Sequence, residues 1–126
     1  MTTRVDTIFL WLVALLSAVG CGGSRAWTPA DTAWQGAVTV SLGADYLTTR
    51  SALNDGGWVE ENPIMGEGPD RISPEVYFST VAVLSAGAAA ALPGRWRRVL
   101  QIATVGFQGF IVARNVHRGA GFGFSF

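Results

Sequence analysis

Lysine is absent from this chain, cysteine and histidine occur once each, and charged residues make up only 14% of the 126 residues. Each shortage removes a class of function. A lone Cys21 permits no internal disulfide and no redox pair. A lone His117, with no cysteine or second histidine near it, offers no ligand spacing for zinc and reads as a solvated interfacial side chain. The charged share lies well below the roughly one quarter typical of soluble domains, which points to lipid as the main solvent. Nine arginines balance nine acidic residues, so no excess charge draws the chain to nucleic acid. No nucleophile elbow and no phosphate-binding glycine loop after a strand occur. The expectation is a non-enzyme with no catalytic residues, no metal and no cofactor.

What is present is apolar and small. Hydrophobic residues make up 49% of the chain, and sixteen glycines and many alanines suit close helix packing in a bilayer. Thr7 to Ser24 carries no charge. Two readings compete for it. In one it is a secretory signal, with Ser17-Ala18-Val19-Gly20-Cys21 resembling a lipoprotein processing site, Cys21 as the lipid attachment and Gly22-Gly23-Ser24 as the following tether. In the other it is a retained first transmembrane helix, slightly short. The organisation expected is thus 1–20 as signal or first span, 21–28 as tether and 29–126 as a helical membrane domain.

Three helices are expected in that domain. Thr28 suits an N-cap, Pro29 the first helical position and Asp31 the third, with the stop at Asn54-Asp55-Gly56-Gly57. Ser73-Pro74-Glu75 starts a second helix that runs to Leu92 and is dense in small residues. Val99 to Ala113 forms a third, with Gln101 and Gln108 inside it, and Gly106 and Gly109 on one face to admit a neighbour. Arg114 to Arg118 closes that helix with cations that favour its negative end. The fold class expected is all-α, a small transmembrane bundle. Gly119 to Phe126 reads as an interfacial tail or an oligomer contact.

Pro93-Gly94-Arg95-Trp96-Arg97-Arg98 reads as a tight basic turn and marks the cytoplasmic side under the positive-inside rule. The loop from Gly56 to Ser73 then faces outward. A lipidated Cys21 would start the mature chain outside, which conflicts with a spanning helix that rises from the cytoplasm. Both arrangements stay open at the level of sequence.

The polar residues that interrupt these apolar runs are the candidate site. Asp45 sits deep in the first helix, where an ionisable group is costly and marks function by default. Thr49, four residues on, shares its face, and Arg50 or Arg114 is available to neutralise the acid. Glu61 and Asn62 precede Pro63 in a loop whose residues favour turns. The four residues Asp45, Thr49, Glu61 and Asn62 read as an internal polar clasp or, alternatively, as an ion or proton site.

The order Asp45-Tyr46-Leu47-Thr48-Thr49, Gly56-Gly57, Glu61-Asn62-Pro63, Ile64 and Gly66 resembles a pattern in small uncharacterised bacterial and phage membrane proteins. There a helix carrying Asp-x-x-x-Thr is followed by Gly, then Glu-Asn-Pro, then two more hydrophobic helices. The resemblance covers about residues 44 to 113 and implies a compact helical membrane domain without an assigned activity. The function expected is a structural or interaction component of a bacterial membrane assembly, contacting lipid and a membrane-protein partner or further copies of itself. The alternative is a proton- or cation-conducting protein that uses Asp45.

Overall fold

The computed structural model describes residues 26–56, 61–66 and 68–123. The first hydrophobic run and Cys21 lie outside the described residues, as does Trp58. Among the described residues the chain is all-helical and forms three α-helices: α1 (Pro29–Asn54), α2 (Pro74–Ala91) and α3 (Gly94–His117), with a short 3-10 turn at Gly68–Asp70 before α2.

Both expected helix starts are present. Thr28 and Asp31 form a reciprocal capping box: the Asp31 N–H donates to Thr28 Oγ1, and the Thr28 N–H and hydroxyl donate to Asp31 Oδ2. Ser73 Oγ accepts from the Val76 N–H, with Pro74 just inside the helix. The α1 stop uses Gly56 at φ 70°, where a side chain would be strained. The end of α3 is a Schellman motif. Ala120 N–H donates to Asn115 O, Gly119 N–H donates to Val116 O, and Gly119 takes φ 98°. That reversal buries Ala120 and brings Gly121 and Gly123 beside Ser51 of α1.

The start of α3 differs from the expected turn. Gly94 to Arg98 is already helical, and only Leu92 and Pro93 separate α2 from α3. So short a link forces the two helices antiparallel. α1 packs most extensively against α3, less against α2, and α2 touches α3 least. α1 and α3 run parallel. Asp31 meets Arg97 and Gln101 at one end, Asp45 and Thr48 meet Asn115 at the other, and the sequence offset stays at 66 to 70 residues throughout. The topology is up, down, up.

The buried residues of α1 at 31, 38, 45 and 52 recur every seven positions, as in a helix seam. On α3, Gln101 and Gln108 share that spacing. The apolar core is small: Val38, Leu42 and Phe78, flanked by Tyr46, Tyr77, Val81, Ala82 and Val105. Phe78 meets Tyr46 and Tyr77 edge-on, with ring centroids at 5.8 Å and 5.0 Å.

α3 is inverted relative to a helix of a water-soluble bundle. Its buried residues are Arg97, Gln101 and Gln108, all polar. Its exposed residues include Trp96, Val99, Ile102, Phe107, Phe110 and Val116. Among the described residues α3 is the one helix both long and apolar enough to cross a membrane. At roughly 1.5 Å per residue its 24 residues reach about 36 Å, against about 30 Å of bilayer hydrocarbon. Gly106 and Gly109 are exposed, and a methyl group added to either would meet nothing within 4 Å. Neither glycine therefore admits a neighbour from within the described chain.

Candidate functional site

Two polar centres sit at opposite ends of the α1–α3 seam. The first is built on Asp31. The Arg97 guanidinium donates to Asp31 Oδ2 at 3.1 Å, to the Ala89 carbonyl at 2.6 Å and to the Leu92 carbonyl at 3.1 Å. Arg98 donates to Asp31 Oδ1 at 2.8 Å. Gln101 Nε2 donates to the Asp31 carbonyl and to Gln35 Oε1. The Trp27 ring lies 4.7 Å from the Arg97 guanidinium carbon. Arg97 is 1% exposed.

This geometry corrects the reading of residues 93–98 as an interfacial basic turn. Arginines in the first turn of α3 meet the positive end of that helix, which disfavours them. Arg97 escapes by reaching the carbonyls at the C-terminal end of α2, where a cation is favoured, and by pairing with Asp31. A single side chain therefore ties the start of α1, the end of α2 and the start of α3. Only Arg95 and Trp96 stay exposed.

The second centre holds the residues singled out from the sequence. Asp45, Thr49, Glu61 and Asn62 all line one cleft of about 400 Å³. Its walls are α1, the first turns of α2 and the C-terminal half of α3, and the loop from Glu61 to Met65 closes one end. Asp45 is 6% exposed. Its Oδ1 accepts from the Thr49 hydroxyl at 3.3 Å and from the Asn115 side-chain amide at 3.5 Å, and the same amide reaches Thr48 Oγ1 at 3.2 Å. The two arginines suggested as neutralisers each have a carboxylate of their own nearby. Arg50 donates to Tyr46 and lies 3.9 Å from Glu75, while Arg114 pairs with Glu61.

Glu61 is the loop's anchor on α3. One carboxylate oxygen accepts from Arg118 at 2.9 Å, and the other pairs with Arg114. These cations, Arg118 first and then Arg114, hold the Glu61 carboxyl below the ordinary glutamate range. Asn62 shapes the turn: its Oδ1 accepts from the Ile64 N–H, and its carbonyl accepts from Met65 and Gly66. Met65 is buried, and Ile72 N–H donates to the Met65 carbonyl.

Gln108 and Asn115 complete the cleft, and the sequence reading did not place either in the site. Gln108 is 7% exposed, and its Oε1 is buried without a hydrogen-bond partner. The seven-residue spacing 101, 108, 115 was the available signal. It was masked by the apolar residues between, which read as a span without an obvious face. Among the described residues no group of three or more His, Cys, Asp or Glu side chains is placed to hold a metal ion.

Comparison with protein-family models, with curated proteins and with solved structures finds no match to this chain. The functional reading therefore rests on the geometry.

Proposed function

We propose that this protein is a small integral membrane protein that acts as a structural or interaction component of a membrane assembly. One observation carries the reading: α3 turns Arg97, Gln101 and Gln108 into the bundle and Phe107, Phe110, Ile102 and Val99 out of it. In water such an arrangement would expose apolar surface and bury polar groups at a cost. In hydrocarbon both terms reverse, and interior polar contacts hold the helices together. Hydroxyls along the helices support the same solvent. Thr39, Ser41, Ser85 and Thr104 each donate to a carbonyl of their own helix, which leaves no donor for water to satisfy.

In this reading the two polar centres clasp the bundle at its ends and the outward apolar faces meet lipid and protein partners. The conducting alternative is less well supported. Between Asp31 and Asp45 the buried residues of α1 are the apolar Val38 and Leu42, and only Gln101 and Gln108 bring polar groups to that interval from α3. Cross-linking in native membranes tests the interaction role: a residue introduced at exposed Phe110 should capture a neighbouring chain. An isolated monomer with no adduct there would remove the assembly role. Liposome flux comparing the parent with Asp45→Asn tests the alternative, and unchanged flux removes it.

A further inference from the structure

We propose that the end of the bundle where α1 and α3 begin is a docking surface for anionic phospholipid headgroups, with Arg95 as the cation it presents. The inference rests on the membrane role proposed above and adds to it the class of lipid. Charge is the first observation. Among the described residues, Asp31 is the one acid at that end, against Arg95, Arg97 and Arg98, which leaves a surplus of two positive charges. Asp31 engages Arg97 and Arg98, and Arg97 is buried. Arg95 is exposed, and among the described residues no carboxylate pairs with it; the Trp96 ring lies 5.9 Å from its guanidinium carbon. At the opposite end Arg50, Arg71, Arg114 and Arg118 are matched by Asp55, Glu61, Asp70 and Glu75.

Aromatic placement is the second observation. The tryptophans among the described residues are Trp27, just before α1, Trp34 in its second turn and Trp96 in the first turn of α3. All three lie at the basic end, each beside an arginine. Trp27 is 42% exposed and Trp96 57%. Indole rings collect at the headgroup level of a bilayer, apolar body inward and N–H toward water. The start of α3 adds to the same sign of field, because its N-cap Pro93 supplies no side-chain hydrogen bond to the first turn. An anionic phospholipid surface answers all of this. Its phosphates suit the Arg95 fork, its negative potential suits the surplus charge, and its acyl boundary suits the indoles. A zwitterionic surface answers the indoles alone. No bond is made or broken.

The test places the full chain in phosphatidylcholine bilayers and compares how strongly it retains spin-labelled phosphatidylglycerol and spin-labelled phosphatidylcholine, read as the motionally restricted fraction of each. Phosphatidylglycerol should be preferred about fivefold, as one cation at the headgroup layer provides. Arg95→Gln should bring the preference close to unity, and Arg95→Lys should keep most of it. Arg71→Gln, at the opposite end, should leave it unchanged. Added salt should weaken the preference, and inorganic phosphate should weaken it no more than chloride of equal ionic strength. Equal retention of the two lipids, an unchanged preference in Arg95→Gln, or an equal loss in Arg71→Gln would overturn the proposal. Loss of the preference in phosphate but not in chloride would assign the site to a free anion and overturn it too. A chain that enters no bilayer at all fails the membrane role itself, and this proposal with it.

Discussion

Three helix ends converge on the Arg97 side chain. Its guanidinium serves Asp31 and the Ala89 and Leu92 carbonyls while nearly fully buried. Removing one member of such a buried pair strands the other, which typically costs about 3–5 kcal/mol. Arg97→Leu should therefore lower thermal stability in detergent sharply, read as loss of helical circular dichroism. Arg97→Lys should recover only part of it, because an ammonium cannot match the planar fork that reaches three acceptors. At the other end, Glu61 supplies a pH effect with a defined sign. Its folded carboxyl is depressed by Arg118 and Arg114, so its contribution is present above the ordinary glutamate value and is lost as pH falls through the lower folded value. Carbon NMR of Glu61 should give a midpoint below that of a free glutamate. Acid should loosen the loop at residues 61–66, and a proteolysis rate there that is flat through that range would contradict the pairing.

Helix starts were legible from the sequence because they are local. Thr28-Pro29-Ala30-Asp31 and Ser73-Pro74 carry their own hydrogen-bonding instructions, and both helices begin where those residues place them. Thr28→Ala should cost about 1 kcal/mol through loss of the cap, measurable as a small shift in the same thermal transition. What packs against what was not legible. Arg97 read as a surface cation because its partner lies 66 residues away, and no local pattern announces that register. Asp45 and Thr49 were found together because four residues on a helix bring them to one face, whereas Asn115 reaches Asp45 and Thr48 only through the parallel pairing of α1 with α3. Glu61 and Arg114 were each noticed, but as separate features. The outward face of α3 yields its own prediction. Phe107→Asp should raise the apparent cost of inserting that segment into a bilayer by about 3 kcal/mol, as read in a translocation assay.

Across the whole molecule, both ends carry arginine: Arg95, Arg97 and Arg98 stand against Asp31 at one end, and Arg50, Arg71, Arg114 and Arg118 stand among Asp55, Glu61, Asp70 and Glu75 at the other. Arg95 to Arg98 on the cytoplasmic side would put the start of α1 there too, because α1 and α3 are parallel. A retained first span with its N-terminus outside satisfies that arrangement, and a lipidated Cys21 does not unless the basic end faces outward. In intact cells an impermeant maleimide should therefore label Asp55→Cys and spare Arg95→Cys, with the parent, whose single cysteine is Cys21, as the blank. The reverse labelling would favour the lipid-anchored orientation. The proposed membrane role predicts hydrocarbon against α3, whose buried residues are polar and whose outward residues are apolar. Spin labels at Phe110→Cys and, for reference, at Asp55→Cys report this directly through their contact with oxygen and with a water-soluble nickel complex in lipid bilayers. The label at 110 should meet oxygen freely and the nickel complex scarcely, with the opposite at 55. A label at 110 as open to nickel as the one at 55 would contradict the membrane bundle.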